Sequence, residues 1–172
     1  SLGIKSVTIR TRQALSGAGW KLLFDAEALS GNVNPFIPQE EEKLIAELKY
    51  LLGIDVPVIA SCNRVSERDG HFVSVGVELS RETTVEEVEE LMKIPTLGLP
   101  SSPKLVNEII DDSPTRQEYL WTGNGMTTTV GNIRVEGNIV RYDALSHNTV
   151  RGAAGGVILL AEFAVQESYI TK

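Results

Sequence analysis

Arg64 and His71 stand seven positions apart across a short polar link, Ser66-Glu-Arg-Asp69, and offer a guanidinium and a group that titrates near neutrality. Residues 56–65 alternate as a strand, with Arg64 on the face of Val58, Ala60 and Cys62. A guanidinium on so apolar a face needs an anion beside it, because an unpaired buried charge is costly. That anion is either a carboxylate of the same chain or a bound ligand, which a planar two-pronged donor suits. His71 heads the next alternating face, with Val73, Val75, Val77 and Leu79. It is either a satisfied core or edge residue or a proton carrier. The four-residue link predicts a hairpin or tight connection, and pairing of the two strands would carry Arg64 and His71 to one end of the sheet.

Three further places hold the residue types for chemistry. Gln13 follows an alternating segment, residues 4–12, and enters the small-residue loop Gln13-Ala-Leu-Ser-Gly-Ala-Gly19. Strand ends of this kind are common ligand positions, and an amide can orient a polar group. Glu40, Glu41, Glu42 and Lys43 open an amphipathic helix; by periodicity alone they are a solvated first turn at the positive end of the helix dipole. The run His147-Asn-Thr-Val-Arg-Gly-Ala-Ala-Gly-Gly156 starts the last helix, and its small residues serve either anion binding at free N–H groups or close packing. It lacks the G-x-G-x-x-G order of a dinucleotide fingerprint. Cys62, although beside Arg64, sits on an apolar face and reads as an inert core thiol. No metal is expected.

Several elements must position these residues. The 172 residues suit one domain with a sizeable core. The net charge of −7 repels phosphate backbones and argues against a nucleic-acid partner. No apolar run approaches the ~20 residues of a membrane span, and a single cysteine fits a reducing cytoplasm. In residues 4–12, Val7, Ile9 and Thr11 share one side of a strand. Residues 32–38 are turn-rich. Leu44, Ile45, Leu48, Leu51 and Leu52 form the stripe of a helix over residues 39–52 that Gly53 ends. Thr84 and Glu87 make a capping box for a second helix. Residues 95–121 carry four of the seven prolines and read as extended loop. Residues 126–134 and 138–145 make a hairpin about Glu136-Gly137. The last helix, residues 149–166, has Val150, Ala153, Ala154, Val157, Ile158, Ala161 and Val165 on one face, predicting close packing there. The order β-α-β-β-α-β-β-α predicts an α/β or α+β domain, a mixed sheet covered by helices.

In their order along the chain these segments resemble the C-terminal catalytic and dimerisation domain of aspartate-semialdehyde dehydrogenases, of the archaeal and fungal branch. The matching segments are Gln13-Ala-Leu-Ser-Gly-Ala-Gly19, Asn34-Pro-Phe-Ile37 with Glu40-Glu-Glu-Lys43, and Ser61-Cys-Asn-Arg-Val65 with Asp69-Gly-His71. Gly123-Asn-Gly-Met126, Val130-Gly-Asn-Ile-Arg134 and His147-Asn-Thr-Val-Arg-Gly-Ala-Ala-Gly155 complete them, so the likeness spans nearly the whole chain. It implies a glyceraldehyde-3-phosphate-dehydrogenase-like C-terminal domain over residues 1–172. The NAD(P)-binding Rossmann domain of the family, which carries the nucleophilic cysteine, is not in this chain, and the last helix would pack on it.

The resemblance also implies roles. His71 matches the general acid/base, Arg64 the group that grips the substrate carboxylate, and Gln13 the residue that orients substrate. Glu40 matches the receiver of the substrate ammonium and Lys43 the residue near phosphate. Asn148 and Gly17 match positions at the cofactor, NADP. The implied reaction is NADPH-dependent reduction of aspartyl phosphate to its semialdehyde through a cysteine thioester, in amino-acid biosynthesis, by a homodimer or higher homo-oligomer. The chain alone would not turn over. Malonyl-CoA reductase is the related alternative, and a non-catalytic dimerising module the other. Arg12, Trp20-Lys-Leu-Leu-Phe-Asp25 and Ser113-Pro-Thr-Arg-Gln-Glu-Tyr119 depart from the family pattern.

Overall fold

The computed structural model describes residues 2–25, 27–31 and 34–170. Its first half runs β1 (Ile4–Gln13), α1 (Trp20–Leu23), α2 (Glu40–Leu52), β2 (Val58–Arg64) and β3 (His71–Leu79). The second half adds α3 (Val85–Met92), β4 (Asn107–Ile109), α4 (Arg116–Tyr119), β5 (Thr128–Glu136), β6 (Ile139–Ser146) and α5 (Gly155–Gln166). The predicted order is therefore present, with the short helix α1 added after β1, and the short strand β4 and short helix α4 added inside the proline-rich stretch. Of the turn-rich segment 32–38, residues 32 and 33 lie outside the described residues; Asn34 forms an isolated bridge with Arg64.

All six strands form one mixed sheet in the order β2-β1-β3-β6-β5-β4. Here the structure corrects the expected hairpin. β2 and β3 do not pair; β1 lies between them, parallel to β2 and antiparallel to β3. The short link crosses over the end of β1 instead of turning back on itself. Leu15 N–H donates to the Glu67 carbonyl at 2.8 Å and Ser16 N–H to that of Arg68 at 3.1 Å, which seats the link on the segment following β1. The β5–β6 hairpin is as expected, closed across Glu136 and Ile139.

Alternation divides the sheet into two faces. Val7, Ile9 and Thr11 of β1 are buried, and with Val77, Val140 and Tyr142 they line the face that carries the helices. Leu79, Val88 and Val140 centre the core at the far end from Gln13, joined by Met92, Ile133 and Val135. At α3 the Thr84 hydroxyl caps by accepting from Glu87 N–H at 3.3 Å. The Glu87 carboxylate turns to Arg81 and Thr83 rather than back to Thr84, so only half of the box forms.

Two apolar stripes are less covered than their periodicity predicts. On α2 the stripe is half-buried at Leu44, Ile45 and Leu48, but Leu51 is 77% exposed. Among the described residues the small-residue face of the last helix is largely open: Val150 lies against Gly125, but Val157 is 66% and Ile158 54% exposed, and Leu159 is the buried residue. The close packing that the small residues predict is absent among the described residues, and the face stands open as an apolar patch, as the resemblance implied for a helix that packs on another domain. The helix begins with a wide turn over Val150–Ala154, where Gly152 and Ala154 N–H groups reach back five residues to His147 and Thr149. Glu162 then ties it to the 100–105 loop, accepting from Ser101 N–H at 2.9 Å and Ser101 Oγ at 2.8 Å. No helix among the described residues is long and apolar enough to cross a membrane.

Candidate active site

The strand order that overturns the hairpin still brings the predicted residues together. In register, Gln13 opposes Arg64 on one side and His71 on the other, and His71 opposes Ser146. Directly opposed residues point to the same face. Arg64, Gln13, His71 and Ser146 therefore form one row across four strands, with Arg64 and His71 roughly 10 Å apart at two strand spacings. Parallel pairing with β2 makes this possible: β1 and β2 end together, and β3 begins where they end.

α2 adds to the row. The Gln13 side-chain amide donates to Glu40 Oε2 at 3.2 Å, and Glu40 Oε1 lies 3.9 Å from Lys43 Nζ. Glu40 thus stands over Gln13, with Lys43 on its outer side. The neighbouring Glu41 turns inward and accepts the Cys62 N–H at 3.0 Å, fixing the helix start to the strand that bears Arg64. Arg64 Nη1 donates to the Ala14 carbonyl at 2.9 Å, and among the described residues no side chain takes the remaining donors of the fork.

Asn148 closes the row from the other side. Its Oδ1 accepts from Gly70 N–H at 2.7 Å and its Nδ2 donates to Ser16 Oγ at 2.8 Å. Among the described residues one Nδ2 hydrogen and one Oδ1 lone pair have no partner. Gly17 lies against the same group. A Cβ there would come within 3.0 Å of Arg64 Nη1, so only glycine leaves the surface between Arg64 and Asn148 flat. Six of the seven predicted site residues accordingly meet at one end of the sheet; Lys43 is 60% exposed and lies between Glu40 and Glu47, at 3.9 and 4.0 Å.

Burial lowers the His71 pKa from its ordinary value, Arg64 lowers it further, and Glu40 opposes the shift. His71 is therefore held toward its neutral, proton-accepting form. Burial pushes the Cys62 thiol up, as expected of an inert core cysteine; the Thr11 hydroxyl works the other way, and Glu41 and Glu40 reinforce the rise. His147, 2% exposed and packed edge-on against Trp121 at 4.4 Å, is also lowered by burial, with Asp69 opposing and Arg116 reinforcing. Among the described residues no group of three His, Cys, Asp or Glu side chains is placed to hold a metal ion.

These shifts set a pH dependence. Both imidazoles bind protons less readily folded than unfolded, so the unfolded chain takes up more protons below its ordinary value of about 6.5. Stability is fully present above that value and is lost as pH falls through the folded values. Urea midpoints are expected to drop between about pH 7 and pH 5, with part of the slope removed by His71→Asn. A midpoint flat across that range in both proteins would contradict the burial described.

Sequence reasoning missed Ser16, Glu41 and Arg116, which hold the row through backbone and amide bonds. Glu41 had a signal, its place three residues before Leu44 on the inner side of the helix, but the cluster as a whole resembled a solvated turn.

An α/β domain whose mixed sheet aligns an arginine, a glutamine and a histidine at one end defines the class, and the comparisons give its family. The chain belongs to the semialdehyde dehydrogenase family: residues 1–151 match the model described as semialdehyde dehydrogenase, dimerisation domain. It is 42% identical to the aspartate-semialdehyde dehydrogenase of Archaeoglobus fulgidus, over 98% of this chain and 53% of that protein. The malonyl-CoA reductase (NADP) of Metallosphaera sedula is 30% identical, over 98% of this chain and 53% of that protein. Among solved structures, aspartate-semialdehyde dehydrogenase with NADP from Candida albicans superposes with a TM-score of 0.76 at 30% identity, over 97% of this chain and 52% of that one. The chain spans about half the length of the curated relatives it matches.

Proposed function

We propose that this chain supplies the acid/base, substrate-gripping and dimer-forming half of an aspartate-semialdehyde dehydrogenase. The reaction is reduction of L-aspartyl-4-phosphate by NADPH and a proton to L-aspartate 4-semialdehyde, phosphate and NADP. The single observation that carries this reading is the row Arg64–Gln13–His71 with Glu40 hydrogen-bonded onto its middle member. A substrate with a carboxylate, an ammonium and an acyl phosphate meets a complementary group for each. Arg64 takes the carboxylate through two parallel N–H donors. Glu40 takes the ammonium, Lys43 stands toward phosphate, and Gln13 orients the acyl carbon. His71, neutral at pH 7, accepts the proton of a thiol carried by the half outside these residues and returns a proton later in the cycle.

NADP fits the open side of this row. The flat surface at Gly17 and the spare donor and acceptor of Asn148 suit a planar carboxamide. When bound, the cofactor supplies the hydride; this chain's part is to hold its nicotinamide end beside Arg64 and His71. Dimerisation belongs to the same reading and is supported by the family description. The open sheet face carries Arg10, Arg134 and Arg141 together with Glu78 and Asp143, both signs on one patch, as a two-fold interface requires. A cytoplasmic setting completes the proposal.

Malonyl-CoA has no ammonium. Glu40 would then face the substrate's own carboxylate, and like charges at ~4 Å cost on the order of 4 kcal/mol at an effective dielectric near 20. The test is NADPH formation by the complete enzyme with aspartate semialdehyde plus phosphate, against malonate semialdehyde plus CoA. Turnover with the first pair is expected. Preference for the CoA pair would transfer the chain to the reductases, and turnover with neither would leave a dimerising module.

A further inference from the structure

The link that crosses the end of β1, residues 66–70, delivers His71 to its row, and it is gripped from both sides. On one side the segment after β1 holds it: Ala14, Leu15 and Ser16 N–H groups donate to the carbonyls of Gly70, Glu67 and Arg68. On the other side stands Arg116, the first residue of α4. Arg116 Nε donates to the Asp69 carbonyl at 2.6 Å and lies 3.4 Å from Glu67 Oε2. The arginine's Cδ lies within 4.0 Å of where a Cβ on Gly70 would stand, beside Leu120 and Leu145. Leu120 is buried, so α4 is anchored while it presents Arg116 to the link.

We propose that Arg116 is a positioning residue for His71: by clamping the Asp69 carbonyl and the Glu67 carboxylate it fixes the link and sets how deeply the imidazole sits beside Gln13 and Arg64. Arg116 does not act on His71 by charge. The charged groups that bear on His71 are Arg64 of β2 and Glu40 of α2. The Arg116 charge bears on His147 instead, together with Asp69. Loosening the link admits water to His71 and relaxes the burial that holds its pKa down, so that value rises toward the ordinary one. Removing the charge alone moves only His147. The importance of this clamp for catalysis rests on the acid/base reading of His71, but the clamp itself is measurable without turnover.

The chain has two histidines, so NMR titration of both imidazoles in the 172-residue protein is direct, with His71→Asn giving the assignment. Arg116→Met is expected to raise both midpoints and to speed exchange of the Gly70 N–H by about tenfold or more, the ~1.4 kcal/mol that one decade represents. The Val73, Val75 and Val77 amides should stay protected. Arg116→Lys keeps the charge without the planar donor, so His147 should stay and His71 still rise. A His71 midpoint and Gly70 exchange unchanged in Arg116→Met, with only His147 moved, would reduce Arg116 to a nearby charge and overturn the proposal. Should Arg116→Met fail to fold, Arg116→Lys decides by the same comparison. Protection lost along β3 in both variants would make Arg116 a residue of the fold and would equally overturn it.

Discussion

With His71 replaced by asparagine, kcat of the complete enzyme is expected to fall by about 10²- to 10⁴-fold while KM for aspartate semialdehyde changes little, the range for a lost general acid/base. Asparagine keeps a polar, similarly sized side chain in the row, so Gln13 and Arg64 retain their partners and substrate still binds. Only proton transfer is lost, and a change confined to kcat and kcat/KM together marks an interaction made in the transition state. The acidic limb of the pH–rate profile, set by an imidazole that burial and Arg64 hold below its ordinary value, should disappear with it. The measurement is the rate of NADPH formation against pH. A variant within a few-fold of the parent, with its acidic limb intact, would make His71 a structural residue and would move the proton carrier elsewhere.

The second large effect is at Arg64. If Arg64 grips the substrate carboxylate as proposed, truncation to alanine removes one partner of a charge-assisted contact at a half-buried side chain, for which about 2–5 kcal/mol is usual. That corresponds to about one and a half to three and a half decades in kcat/KM, most of it in KM. Arg64→Lys is expected to recover only part, because an ammonium is a point charge and cannot donate two parallel bonds to a carboxylate. Saturation kinetics on the three proteins give the split. Equal KM values in all three would remove Arg64 from the substrate site and leave it as the donor to the Ala14 carbonyl. His71→Asn and Arg64→Ala therefore separate proton transfer from binding within one row.

Gln13, Arg64 and His71 were legible because the sheet imposes a period of two and because each sits at a strand terminus. Their neighbours across the sheet were not. The insertion of β1 between β2 and β3 leaves no local mark, since parallel pairing of Val7 with Val58 and of Gln13 with Arg64 joins residues some fifty positions apart. A four-residue link looks the same whether it makes a hairpin or crosses a third strand's end. Asn148 was found through resemblance alone, and its hold on Ser16 and Gly70 spans 132 and 78 positions. On α5 the periodicity of Val157, Ile158 and Ala161 correctly marked an apolar face, but periodicity cannot say whether this chain contains what covers it. The row's residues were thus readable as types, and its construction was a property of long-range packing.

The place of β1 between β2 and β3 has a consequence for how the domain is assembled in time. Within this chain β1 comes first among the strands, yet both of its neighbours, β2 and β3, follow more than forty residues later, and β3 must in turn wait for β6 at Ile139–Ser146. Three of the five pairings, β1–β2, β1–β3 and β3–β6, close long loops before any contact rewards them, which places the domain among slow folders, on the order of milliseconds to seconds. Until β2 and β3 arrive, the buried face of Val7, Ile9 and Thr11 has no partner and both edges of β1 are open. That interval, rather than any weakness of the finished sheet, is when the chain is most exposed to pairing with another copy of itself.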